Sequence, residues 1–525
     1  MLFTTWSFLL FLAACTAVYW LLTPRLRWGF LLGISLVFYW SIGHKMIVFA
    51  LFTAGLTWLA GVWLGRLHAS EQAADAAAKA AGADRAARAA QRARWRRRRR
   101  LVLAAFCLCS IGMLLFFKFY NMLAALTADT AALPLWRHAV PLGVSFYTLQ
   151  VVAYVADVYT GRIAAERNPF KVALFTIWFP QVIEGPICRW NNLAPTLFAE
   201  KTFDERQFVL GCERMLWGYF KKLVIADRFN VLVNTVFGDP GSYAGFTFTA
   251  AAFFYVVQLY CDFSGGIDIA LGAAGLFGVS MPENFCLPFS SQTISEFWRR
   301  WHITLGTFLR DYIFYPLTLS RPAGRLGRWL HRHCGRAAGK WVPSYLALFI
   351  LWFCSGVWHG EGWHYVVYGL YHGTIIIVGM MIAAPSAALW KKLGVPQESR
   401  TLRLFRVART CLLVGAGEIL FRADSTAQAA AIVRSILTTW NPWVLFDGTL
   451  WSLGLDFPDF AVGVLAAAAL FAISTASRRG SLRERILRQE LPIRWAVWLG
   501  GLAVVLIFGI YGPAYDPTPF VYYHF

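Results

Sequence analysis

The sequence predicts an all-α polytopic membrane protein, and three observations predict it. Of 525 residues, 58% are apolar and 15% charged, against roughly 45–50% and about 25% in soluble domains. Apolar segments long enough to cross, or nearly cross, a hydrocarbon core of about 30 Å recur along the whole chain. The basic residues sit in blocks between those segments. A water-soluble array could not hide this much apolar surface, and a disordered chain would not contain it. The mean hydropathy of +0.51 agrees. With 24 Trp, 20 Tyr and 43 Phe, the chain is rich in side chains that anchor helices at interfaces and line deep cavities.

The candidate spans are 5–22, 28–42, 46–65, 101–117, 140–157, 170–186, 210–235, 247–278, 343–358, 363–383, 407–421, 459–476 and 494–512. Allowing for broken or re-entrant pieces, they amount to about eleven transmembrane helices. Met1 to Tyr19 has no basic n-region and no small-residue cleavage site, so a first membrane helix is expected there rather than a removed signal peptide. Pro141 and Gly143 interrupt 140–157, and Pro180, Gly185 and Pro186 interrupt 170–186. Broken helices at membrane depth need protein or a water-filled cavity to cover their free backbone groups, which predicts an internal polar cavity.

The formal charge of +21 is a topology signal rather than a nucleic-acid surface, because it is blocked rather than spread over a folded face. Residues 71–100 hold ten Lys or Arg against three acids and end in Trp95 and the run Arg96 to Arg100. Further basic blocks lie at 321–340, 391–409 and 478–494, and the positive-inside tendency makes all four cytoplasmic. Three spans before 66–100 then put the N-terminus outside, with Arg25 and Arg27 inside. A cytoplasmic 391–409 puts 422–458 outside, and two more spans carry the C-terminus outside. The Ala-rich stretch 73–93 reads as one exposed or membrane-surface helix. The whole chain, 1–525, is expected to be a single membrane domain with a basic cytoplasmic helix at 66–100 and an extracytoplasmic tail at 513–525. The ten cysteines form no CxxC and no zinc-type cluster, and no dinucleotide or P-loop fingerprint is present. No metal is expected.

Expensive polar residues inside apolar runs mark a site. One such region runs from Gln258 to Asp311. As a helix from Ser295 it places Trp298, His302, Leu305 and Leu309 on one face and Arg300, Thr304, Thr307 and Asp311 on another. The bland alternative is an interfacial helix with snorkelling arginines and a satisfied histidine. The second region, Leu351 to Gly373, holds His359, His364 and His372 among aromatics and glycines. Their spacings of five and eight do not make an H-E-x-x-H pair, which disfavours a metal site. Neutral imidazole can take a hydroxyl proton, so general-base work is the natural role, beside the alternative of a structural histidine bonded to a backbone carbonyl.

W-R-R-W-H-I-T-L (298–305), L-R-D-Y (309–312) and G-V-W-H-G (356–360) resemble the signatures of the membrane-bound O-acyltransferase family. The branch is similar to the alginate O-acetyltransferase membrane subunit and the teichoic acid D-alanyltransferase. The resemblance continues through L-G-V-S-F-Y (142–147), F-P-Q-V-I-E-G-P-I-C-R (179–189), G-Y-F-K-K-L-V-I-A-D (218–227) and D-F-S-G (262–265). It implies helices around a central tunnel, acyl transfer to a hydroxyl, His359 as the essential base and His302 as the second signature histidine. Trp298, Arg299, Arg300, Arg310 and Asp311 are then expected to orient the donor, with Asp262, Ser264 and Asn284 near the oxyanion. The donor is an acyl thioester such as acetyl-CoA, used as substrate with no bound cofactor. Expected partners are membrane lipids, an envelope polysaccharide acceptor and an extracytoplasmic SGNH-type transferase, but no nucleic acid. The expected location is the bacterial inner membrane.

The last six residues, Phe520 to Phe525, fit F-x-Y-x-x-F with Tyr522 at its centre. A terminal aromatic run is ordinarily an interfacial belt. This one resembles the C-terminal motif of the small partner protein of teichoic acid D-alanylation, which implies Tyr522 as an acyl carrier. The alternatives are a D-alanyl or other acyl transferase fed by a carrier-protein thioester, and a transporter or flippase built from broken helices. Inverted repeats would favour transport, and none is evident.

Overall fold

A computed structural model describes residues 1–126, 140–511, 520 and 521. Every regular element among the described residues is helical. The chain forms two compact units, Met1–Phe208 with Ala273–Pro282, and Val209–Gly272 with Glu283–Phe525.

The first unit opens with α1 (Trp6–Leu21), capped by the Thr5 hydroxyl accepting from the Phe8 N–H, and α2 (Pro24–Gly43), which starts on proline where no N–H is needed. Next come α3 (Ile47–Ala80) and α4 (Arg85–Leu126), of 34 and 42 residues. At 1.5 Å per residue α3 alone is roughly 50 Å long, well beyond a hydrocarbon core of about 30 Å, so its charged end stands outside. The Ala- and Arg-rich stretch is therefore a helical hairpin continuing two spans, not the single surface helix the composition suggested. Ion pairs zip the hairpin: Asp75 binds Arg88 at 2.9 Å and Arg92 at 3.1 Å, and Glu71 binds Arg99 at 2.7 Å.

The broken helices expected after residue 140 are present. Helix α5 (Val144–Thr160) starts at Gly143, whose φ of +67° is left-handed and whose missing side chain avoids the Val182 carbonyl. Helix α6 (Pro169–Ile177) stops at Trp178, and α7 (Phe179–Val182) is a single turn. The interrupted backbone is covered from within the unit. The buried Gln181 amide donates to Gln150 Oε1 and to the Phe175 carbonyl, both at 2.8 Å. Helix α8 (Trp190–Leu197) completes this part.

The second unit begins within α9 (Glu205–Tyr219), at Val209, and passes through a π-helical stretch (Phe220–Ala226) into α10 (Asp227–Gly238). Most of α11 (Phe246–Leu276) follows. Then come α12 (Ile294–Arg300), α13 (Ile303–Leu309), a second π stretch (Arg310–Phe314), α14 (Tyr315–Thr318) and the basic amphipathic α15 (Arg321–Cys334). The antiparallel pair α16 (Arg336–His359) and α17 (Trp363–Lys392) is followed by α18 (Arg400–Arg422), α19 (Thr426–Thr438), α20 (Phe457–Ala476), α21 (Leu482–Leu487) and α22 (Leu491–Phe508).

By length and composition, seven helical stretches among the described residues can cross a membrane: 24–80, 85–122, 246–276, 336–359, 363–392, 457–476 and 491–508. The chain is a multi-pass membrane protein. The stretch 24–80 holds both α2 and α3, and the apolar runs 170–186 and 210–235 fold into short or interrupted helices.

Candidate active site

His359 is the last residue of α16, beside Gly360, whose extended backbone ends the helix. It is 2% exposed. Its Nδ1 lies 2.7 Å from the Ser355 carbonyl one turn back. A carbonyl only accepts, so Nδ1 carries the proton and Nε2 the lone pair, the tautomer of a base. The ring is walled by Trp358, Phe421 and Tyr368, at centroid distances of 5.0, 5.4 and 5.9 Å. Backbone contact between α16 and α17 builds this wall: a side chain on Gly369 would strike the Trp352 carbonyl and Gly356, so glycine lets the two helices touch.

His302 sits at a break. The continuous helix expected from Ser295 to Asp311 is interrupted at Trp301 and His302, and His302 has φ 46° and ψ 52°. A left-handed non-glycine residue costs roughly 1–2 kcal/mol, so something must hold it. The preceding loop does: Asn284 O accepts from the Ile303 N–H at 3.0 Å, and the Cys286 N–H donates to the Arg300 carbonyl at 2.9 Å. Asn284 Oδ1 accepts from the Thr304 N–H at 3.1 Å and from its hydroxyl at 2.9 Å, and faces His302 Nδ1 at 3.2 Å. Those donors identify the amide oxygen, so Nδ1 of His302 is also a donor. Phe263 packs edge-on to the His302 ring at 4.8 Å, and Trp358 lies 6.0 Å away. His302 and His359 are both buried and share Trp358 as a neighbour. The helical-face reading of 295–311 fails, while Trp298, Asn284 and the two signature histidines come together.

His372, one of the three histidines of the region 351–373 and without an assigned role in the sequence reading, is His359's electrostatic neighbour. It is fully buried and ringed by Tyr368 at 4.7 Å, Trp298 at 4.9 Å and Tyr371 at 5.1 Å. Neither ring nitrogen has a hydrogen-bond partner among the described residues. Tyr368 donates to the buried Glu418 at 3.0 Å and so bridges the two histidines to a carboxylate. Two signals were available. Tyr368 and His372 are one helical turn apart, and Glu418 is the one acid within the apolar run 407–421.

Most of the other expected site residues are held by partners of their own. Asp262 is paired with the fully buried Lys222 at 2.6 Å, and Lys222 also holds Asp227 at 2.8 Å. Lys221 binds Asp268 at 2.6 Å and donates to Ser264 Oγ at 2.9 Å. This charge network rests on the π stretch 220–226. Arg300 is tied to Glu296 at 2.9 Å, Arg310 to Asp311 at 3.0 Å, and Arg299 is exposed. Tyr522 lies outside the described residues, but its two predecessors do not. The Val521 N–H donates to Asp262 Oδ2 at 2.7 Å, and Phe520, 1% exposed, lies under the Lys222 ammonium at 4.7 Å. No group of three His, Cys, Asp or Glu suited to a metal occurs among the described residues.

The chain matches the model of the membrane-bound O-acyltransferase family over residues 162–332, a stretch that includes His302 and ends before His359. It is 32% identical over 457 residues to the probable alginate O-acetylase AlgI of Pseudomonas aeruginosa, covering 85% of this chain and 76% of that protein. It is 31% identical over 314 residues to the peptidoglycan O-acetyltransferase of Helicobacter pylori, covering 53% and 55%. It is 27% identical over 251 residues to the teichoic acid D-alanyltransferase of Bacillus subtilis, covering 45% and 58%.

Proposed function

The chain belongs to the membrane-bound O-acyltransferase family and is an O-acyltransferase, and from that premise we propose that it moves acetyl groups from cytoplasmic acetyl-CoA across the membrane for O-acetylation of an envelope or secreted polysaccharide. The observation that carries this reading is the buried His359, whose Nδ1 bond to Ser355 makes Nε2 basic, beside the strained His302. The likeness to an alginate O-acetylase over 85% of the chain supports acetyl as the group and a glycan as its destination.

In the proposed step His359 Nε2 takes the proton of the attacking hydroxyl as its oxygen bonds to the thioester carbonyl carbon. The carbon–sulfur bond then breaks, and the thiolate leaves with the proton returned by His359. The Asn284 side-chain Nδ2, buried and without a hydrogen-bond acceptor among the described residues, is the donor for the oxyanion. Removing one such donor costs about 10²–10³-fold in turnover in other enzymes. Asn284→Ala is expected to lower kcat by about 10²-fold with little change in KM, measured as CoA release by the purified protein.

The acceptor of this first transfer is the phenol of Tyr522, which hands the acetyl to an extracytoplasmic SGNH-type transferase. Both termini lie on the outer side of the bacterial inner membrane, with the basic blocks inside. The seating of Phe520 and Val521 on Lys222 and Asp262, next in sequence to the Phe263 that packs on His302, supports a tail that reaches the site. The test is acetyl transfer from radiolabelled acetyl-CoA by purified protein in detergent. A transporter would bind the donor and leave the thioester intact.

A further inference from the structure

We propose that the second unit carries a binding site for a membrane glycerophospholipid whose headgroup bears a primary amine. A cavity of about 780 Å³ lies among α9, the π stretch 220–226, α20, α21 and α22, within the range of about 300–1,000 Å³ typical of ligand sites. Its long walls are apolar, formed by residues such as Trp217, Phe220, Leu465, Ile473, Val504 and Phe508. Two of its walls are the candidate spans 457–476 and 491–508, and along α22 only Val505 is buried. The cavity therefore lies at membrane depth on a lipid-facing side of this unit.

Its charged end identifies the occupant. Arg214, Asp268 and Glu283 line that end but satisfy one another, with Arg214 bound to both acids and Lys221 also on Asp268. Two groups retain capacity. Glu213 is 9% exposed; one carboxylate oxygen accepts from the Trp498 indole at 2.7 Å, and the other, Oε2, has no hydrogen-bond partner among the described residues. Arg483 lies in the field of the like-charged Arg214 and of Asp268, Glu283 and Glu213, without a hydrogen bond or close ion pair to any described residue. Both stand where α20 ends at Ala476, beside Ser477 and Ser481, at the start of the basic block 478–494. A buried carboxylate oxygen lacking a donor and a guanidinium lacking an anion match an ammonium and a phosphodiester on one headgroup. The acyl chains then fill the apolar length. A choline headgroup has no N–H to give Glu213, and a glycerol headgroup has no cation.

Native mass spectrometry of the full chain, released from detergent with equimolar phosphatidylethanolamine, phosphatidylcholine and phosphatidylglycerol of identical acyl chains, tests this. The expected result is one retained phosphatidylethanolamine, preferred at least about tenfold over the other two. Glu213→Gln is expected to erase the preference over phosphatidylcholine, and Arg483→Gln to weaken retention of all three. Ala469→Trp, at an exposed residue whose side chain lines the cavity, is expected to displace the adduct whatever its headgroup. Equal retention of the three lipids by the unsubstituted chain overturns the proposal, as does a preference for phosphatidylglycerol. So does an undiminished adduct in Ala469→Trp. The readout is lipid mass, independent of acyl transfer.

Discussion

His359→Ala is expected to lower acetyl transfer by about 10²–10⁴-fold, the usual contribution of a positioned general base, in protein that still extracts folded. The competing account is that His359 is a packing residue, because it is buried, bonded to Ser355 and enclosed by Trp358, Tyr368 and Phe421. Loss of that bond alone costs about 1–3 kcal/mol, from the unpaired Ser355 carbonyl. His359→Gln separates the two accounts. Glutamine can donate to Ser355 and fill much of the space, but it takes no proton at neutral pH. A packing role predicts recovery of activity in His359→Gln; a base predicts that both variants stay inactive although His359→Gln recovers the thermal stability that His359→Ala loses.

Tyr522→Phe is expected to reduce O-acetylation of the exported polysaccharide to background while the protein remains folded and in the membrane. The substitution removes one oxygen and keeps the ring, so tail seating through Phe520 and Val521 should persist. The nucleophile alone is lost. The measurement is the O-acetyl content of polymer from cells that also hold the extracytoplasmic transferase. Normal acetylation in Tyr522→Phe would show that the acetyl group leaves the His359 site by another route, directly to the glycan.

Local chemistry made much of this protein legible. Apolar runs marked the long helices, and Pro180 with Gly185 marked the break around Trp178, because these residues act on their own backbone. The signature histidines stood out because ionisable groups in apolar runs are costly. Long-range contacts were not legible. The break at His302 depends on Asn284 and Cys286, some 15–20 residues upstream, intercepting backbone groups that a helix would otherwise pair. The hairpin of α3 and α4 is held by Asp75 and Glu71 reaching Arg88 and Arg99, where Ala and Arg alone specify only helix. The box around His372 joins residues from three separate helices, Trp298, Tyr368 and Glu418 among them, and no single segment displays it.

The most direct test of the central claim is to incubate the purified full chain in lipid nanodiscs with ¹³C-labelled acetyl-CoA, without acceptor, and to identify the labelled residue by peptide mass spectrometry. Labelled acetyl on Tyr522 in the unsubstituted chain, absent from His359→Ala, is the predicted result. Label on Tyr522 at equal rate in His359→Ala, or none in a preparation that acetylates its polysaccharide, would contradict it.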